Sequence, residues 1–191
     1  MVGTLWHNWA GAGLCDRPTT LWFDPGGTTG WSRMSCSVEA LTDSDVSVLG
    51  TLEWEHGEIR CLEDEEAGLD QWLAVASEVP GACIGIEDFV PRFFNSSWDF
   101  YSPMRLTAAA KWIFHAQLGT ESVHIKKQEA SDAKDEITND RLKRWGLYER
   151  KGGLEHARDA DRHAILWLRK CKGTDKVSRT RRQEAWPHLY R

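Results

Sequence analysis

No apolar run in this chain approaches the roughly 20 residues that a helix needs to cross a bilayer, so a membrane-spanning helix is not expected. Residues 1–13 carry no basic stretch followed by an apolar core, so a secretory signal is not expected either. The five cysteines (Cys15, Cys36, Cys61, Cys83, Cys171) are odd in number and widely spaced, with no C-x-x-C pair. That usage points to reduced thiols in a cytoplasm and speaks against a zinc site of recognised ligand spacing. Internal repeats and low-complexity tracts are missing, which excludes solenoids and disordered tails of biased composition. With 191 residues the chain can bury a real core, but two full domains would be cramped.

The net charge of -5 does not look like that of a nucleic-acid-binding protein. Its distribution is uneven, however. Residues 1–70 hold 3 Lys/Arg against 13 Asp/Glu, and residues 71–191 hold 21 against 16. From Arg169 onward come Arg169, Lys170, Lys172, Lys176, Arg179, Arg181, Arg182 and Arg191, opposed only by Asp175 and Glu184. Such a run is either a solvated face or a means of reaching phosphates without making the whole surface sticky.

What is present begins with Leu21-Trp22-Phe23-Asp24-Pro25-Gly26-Gly27-Thr28-Thr29-Gly30-Trp31. The residue before a proline is pushed into extended backbone, so Asp24 ends a strand. Gly26 and Gly27 are expected to supply the freedom for a tight reversal. The pattern predicts strands over 19–24, 28–39 and 45–56, and a helix over 63–79 with acids in its first turn. A strand over 82–86 is buried on both faces and ends in Glu87-Asp88. Helices are predicted near 103–118, 135–145 and 154–171, with a short strand at 122–125. Three strands, then alternating helices and strands, give a mixed α/β order compatible with a ribonuclease H-like fold. The expected architecture is a mixed sheet of about five strands, the first three antiparallel, flanked by helices. Residues 1–18 read as an extension, 19–172 as the domain and 173–191 as a basic tail.

Asp24 and Glu87 stand at the C-terminal ends of neighbouring candidate strands. The last helix presents His156, Asp159 and His163 at i, i+3 and i+7, on one face, while Asp161 points away from it. Oxygen-rich donors of this kind select Mg²⁺ or Mn²⁺ over Zn²⁺, and two such ions can activate water and stabilise the leaving oxygen of a phosphodiester. Each member also has a plain reading, as turn residue, loop start or helix-surface polar group.

Asp24-Pro25-Gly26-Gly27-Thr28-Thr29-Gly30, Ile84-Gly85-Ile86-Glu87 and His156-Ala157-Arg158-Asp159-Ala160-Asp161-Arg162-His163-Ala164 together resemble the RuvC-type Holliday junction resolvases, particularly the phage-encoded branch. The likeness covers most of residues 19–170 in element order, with three specific motifs. It implies that Asp24, Glu87, His156 and Asp159 are both catalytic residues and ligands of two Mg²⁺ ions, with Mn²⁺ able to substitute. His156 takes the place of an acid there. The resemblance further implies branched DNA as substrate, paired phosphodiester hydrolysis, a two-fold homodimer and a cytoplasmic location, in the host cytoplasm for a phage-encoded chain. The 1–18 extension, a long third strand and the basic tail depart from the bacterial pattern. Roles for Asp88, Asp161 and His163 stay open.

Phe89, Phe93, Phe94 and Trp98 follow Glu87 and could stack on unpaired bases or bury themselves in a core or interface, since 11 Trp show aromatics in structural use. Lys126, Lys127, Lys134, Arg179, Arg181 and Arg182 are candidates for phosphate contact. Three alternatives remain: a related nuclease acting on flaps, forks or RNA–DNA hybrids, a branched-DNA-binding module that does not cut, and an actin-like or sugar-kinase ATPase. The last requires two domains around its nucleotide, and the Gly-rich turn lacks a Walker A ending.

Overall fold

The computed structural model describes residues 16–89, 98–118, 125–148 and 154–190. Strand β1 (Thr19–Asp24) pairs antiparallel with β2 (Thr28–Ser35), which pairs antiparallel with β3 (Glu53–Arg60). On its other side β1 runs parallel to β4 (Cys83–Asp88), and β4 runs parallel to β5 (Lys126–Glu129). The sheet order is β3-β2-β1-β4-β5, with the first three strands antiparallel as expected. β1 is therefore central and buried at all six positions.

Alternation along β1 sends its side chains into two separate cores. Leu21 and Phe23 face α2 (Glu65–Ser77) and α3 (Trp98–Leu118), where Phe23 stacks on Trp72 with ring centroids 4.4 Å apart. Trp22 faces the opposite core, built mainly around α6 (Glu155–Cys171) with contributions from α1 (Val38–Thr42), α4 (Ala130–Glu136), α5 (Asn139–Arg144) and α7 (Lys176–Ala185). Because Asp24 lies two residues beyond Trp22, it shares the α6 face. Gly85 makes room there: a Cβ at that position would lie 2.3 Å from the Trp22 indole.

Several predicted boundaries move. β2 stops at Ser35, because Ser37 turns the chain by capping α1. The third strand runs over 53–60 instead of 45–56, and is not long. Val46, Val48 and Leu52 imitate a strand pattern while packing on the α6 core from a loop with one 3₁₀ turn. β5 lies at 126–129, and residues 122–124 of the strand expected at 122–125 lie outside the described residues; the polar sequence of β5 suits an edge strand. The single helix expected over 135–145 is two, because Thr138 caps α5 and the buried Ile137 lies between the pair. α3 begins at Trp98 and includes Pro103.

The 173–191 segment does not behave as a solvated tail. Asp175 caps α7, and Arg182 donates to the carbonyls of Leu41, Cys171 and Gly173. Trp186 is fully buried, and its indole N–H donates to Thr19 O at 2.6 Å. The glycines with positive φ are Gly81, Gly146 and Gly173 among the described residues; Gly26 and Gly27 do not need it. Gly27 is held instead by its carbonyl, which accepts from Cys61 N and Leu62 N. No helix among the described residues is long and apolar enough to cross a membrane.

Candidate functional site

The N-terminus of α6 meets the C-terminal end of β1, and a glycine permits it. Asp24 pairs with Gly30 across the β1–β2 ladder. A Cβ on Gly30 would lie 2.0 Å from the backbone carbonyl of His156. Only a residue without a side chain lets the helix lie this close to the strand. Leu154, the residue before α6, offers no side-chain cap. Glu58 of β3 supplies one across the sheet: its Oε1 accepts from His156 N at 3.0 Å and from Ala157 N at 3.4 Å. A carboxylate there satisfies free helix N–H groups and suits the positive end of the helix dipole. His156, so placed, donates from Nδ1 to Asp24 Oδ2 at 3.1 Å.

Further along the same face, His163 donates from Nε2 to Glu87 Oε2 at 2.9 Å. Between the two histidines lies Asp159, whose Oδ1 is paired with Arg162 and whose Oδ2 is 2.9 Å from Lys134 Nζ. Asp161 points elsewhere, as its offset predicts. It is fully buried and accepts from Trp54 Nε1 and His56 Nδ1, each at 2.8 Å, which ties α6 to β3. Asp88 is paired with Lys127.

The charges interact strongly. Burial, together with the negative charge of Glu87 and Asp159, pushes the Asp24 carboxyl up to about 6 despite the hydrogen bond from His156. Burial acts the same way on Glu87, but the hydrogen bond and charge of His163, with Asp24 and Lys134, hold its carboxyl below the ordinary range. The hydrogen bond to Asp24, aided by the charges of Asp24, Glu58 and Asp159, raises His156 against its partial desolvation. Lys134 is likewise raised: Asp159, Glu87 and Asp24 outweigh desolvation. Two carboxylates of different proton affinity thus sit side by side at one end of the sheet.

Asp24, Glu87, His156 and Asp159 accordingly gather at that sheet end, each acid answered by a base. No group of three His, Cys, Asp or Glu among the described residues is arranged to hold a metal ion as the side chains stand. The donor chemistry fits one nonetheless. Three carboxylates and an imidazole make an oxygen-rich set suited to a hard divalent cation, and a carboxyl raised by burial and then by like charges marks a place where added positive charge would be favourable.

The nucleic-acid candidates scatter. Lys126 pairs with Glu184 and lies over the Trp167 ring. Lys127 is exposed beside Asp88, and Phe89 is half-buried. Phe93 and Phe94 lie outside the described residues. Arg179 is exposed, whereas Arg181 donates to Lys170 O. Arg182 is buried and occupied by carbonyls, which removes it from the phosphate candidates. α7 packs at the Thr19 end of β1, opposite Asp24, so the basic run does not flank the acids. Among the described phosphate candidates, Lys134 does, 2.9 Å from Asp159 Oδ2. Sequence reasoning missed Glu58 and Gln128. The signal for Glu58 was the alternation Trp54, His56, Glu58, a polar face opposite a helix.

This sheet order, with acids at the ends of two parallel neighbours and a helix laid across them, defines a RuvC-like α/β fold of the ribonuclease H type. The solved structure "T. thermophilus RuvC in complex with Holliday junction substrate" is similar, with a TM-score of 0.53, 15% identity, and 82% of this chain and 97% of that chain covered. A second, "Thermus thermophilus RuvC structure", has a TM-score of 0.51 at 15% identity, covering 77% and 91%. Both come from Thermus thermophilus, and the likeness establishes the fold; it does not reach the phage-encoded branch. No protein-family model and no curated protein matches the chain.

Proposed function

We propose that this protein is a divalent-metal-dependent endonuclease that resolves four-way DNA junctions. One observation carries the proposal: α6 lays His156 onto Asp24 where β1 ends beside β4 and Glu87, in a fold shared with a junction-bound RuvC. Asp24, Glu87, His156 and Asp159 would hold Mg²⁺, or Mn²⁺ in its place. Bound there, the cation supplies Lewis-acid stabilisation of a phosphodiester and an activated water. The chain's own residues prepare the place. Burial strips water from Asp24 and Glu87, Glu58 and Gly30 set the helix at contact distance, and Lys134 counters the excess negative charge facing an anionic strand. A two-fold dimer presenting two such sites matches a junction that needs two symmetric nicks.

The test is incubation of the purified chain with labelled four-way junctions, flaps, forks and RNA–DNA hybrids, in Mg²⁺ and then in Ca²⁺. Paired nicks in the four-way junction with Mg²⁺, lost in Asp24→Asn, are expected. Failure to cut any of these substrates overturns the nuclease reading. A second reading, a branched-DNA-binding module that does not cut, is favoured by one feature: both Asp159 oxygens are held by cations. Tight junction binding without nicks in either metal would establish it.

A further inference from the structure

His163 is buried to 1% side-chain exposure, it carries chemistry, and the proposed reaction does not use it. Its ring lies nearly parallel to the Trp22 indole, with centroids 5.5 Å apart and an interplanar angle of 13°. Nε2 is 2.9 Å from Glu87 Oε2, and Nδ1 is 3.3 Å from Gln128 Oε1. Glu87 and Gln128 are register partners on the parallel strands β4 and β5, so they project side by side toward α6. The Gln128 amide is buried as well, and its Nε2 has no partner in this orientation.

Hydrogen-bond bookkeeping narrows the arrangement. A carboxylate at Glu87 can only accept, so the 2.9 Å contact places a proton on His163 Nε2. The Gln128 amide turned half a turn about its last side-chain bond occupies the same space. It then donates Nε2–H to Nδ1, which gives the otherwise unpartnered amide nitrogen an acceptor. In either orientation of the amide, Nε2–H points at Glu87.

We propose that His163 is a positioning residue for Glu87: the chain Gln128–His163–Glu87, clamped by Trp22, fixes Oε2 and leaves the other oxygen of Glu87 to face the site. This rests on the proposed metal-dependent nuclease reading and deepens it. A carboxylate free to rotate presents its oxygens in many directions. One oxygen tied to a rigid, stacked imidazole presents the second in a single direction. Partners of this kind typically change metal affinity or activity by 10–100-fold when removed.

The experiment compares the wild type with His163→Gln, which keeps an N–H aimed at Glu87, His163→Met, which keeps the volume and loses the donor, and Gln128→Leu. Each is checked for folding by its thermal transition without metal. Mn²⁺ affinity is read by calorimetry, and kcat and KM for junction cleavage by kinetics. His163→Met is expected to weaken Mn²⁺ binding 10–100-fold and to lower kcat with KM little changed. His163→Gln should recover most of both, and Gln128→Leu should fall between. Equal impairment in the Gln and Met variants would show that His163 only fills space, and overturns the proposal, as would wild-type Mn²⁺ binding in a folded His163→Met. A wild-type protein that binds Mn²⁺ but cuts nothing would instead overturn the nuclease reading, with the Mn²⁺ comparison still deciding the role of His163. If His163→Met does not fold, the Gln128→Leu variant decides, and unchanged Mn²⁺ affinity there overturns the chain.

Discussion

Asp24 is a carboxylate placed where carboxylates are costly, and that cost is measurable. Its proton affinity is raised in the fold to about 6 from 3.8, so the native state binds the extra proton in that window. The associated stability is present in full below the unfolded value and is lost as pH rises through about 6. Asp24→Asn removes the charge and keeps an acceptor for His156. In metal-free buffer at pH 8 this variant should therefore unfold at a higher temperature than the wild type, by the equivalent of about 1–3 kcal/mol. The gap should narrow toward pH 4. A variant that is less stable at both pH values would contradict the crowded-carboxylate picture. Glu58 works in the other direction, because it supplies something α6 needs. Glu58→Ala should cost about 1 kcal/mol in urea unfolding, the usual value of a helix cap, and Glu58→Gln less.

At the scale of elements, the decisive contact is α6 on β2. Gly30 is the position where helix backbone meets strand backbone, and the obstacle to a Cβ there is a main-chain carbonyl 2.0 Å away rather than a side chain that could swing aside. Gly30→Ala should push the first turn of α6 off the sheet, costing about 1–3 kcal/mol or more. It should also reduce junction cleavage by more than its stability loss explains, because His156 would leave Asp24. Thermal melts and cleavage rates on the same preparation separate the two effects. Cleavage at wild-type rate in a folded Gly30→Ala would show that this approach does not govern the site. The Asp161 link to Trp54 and His56 anchors the same helix to β3 on its other side, so α6 is fixed at two places.

Across the whole molecule, the two ends of the sheet do different work. One end gathers the acids, and the other is closed by α7, with Trp186 under the start of β1 and Arg182 tying three carbonyls together. Removing residues 173–191 should thus destabilise the entire domain rather than merely weaken DNA binding. Arg182→Met leaves buried carbonyls without their donor and should lower stability by about 2–5 kcal/mol. The exposed Arg179 offers the contrast: Arg179→Ala should stay within about 0.5 kcal/mol of the wild type. If Arg179 touches phosphate, the slope of log affinity against log salt falls by about 1. An unchanged slope assigns it to solvation. Equal stability of the Arg182 and Arg179 variants would contradict the buried role of Arg182.

Periodicity and local stereochemistry were enough to place β1, α2, β4 and α6 within a few residues, and to put Asp24 and Glu87 at strand ends and His156, Asp159 and His163 on one helix face. Those features depend on neighbours in the chain, so the order of residues determined them. Long-range contact decided the rest. Val46 and Val48 look like strand residues because any apolar residue bound for a core does, whether it arrives from a strand or a loop. Arg182 looks like a phosphate ligand because charge shows in a sequence and burial does not. Glu58 caps a helix that begins nearly a hundred positions later, and Gln128 meets His163 across 35. Which base answers which acid is set by how one face of α6 meets one face of the sheet, and no local pattern encodes that.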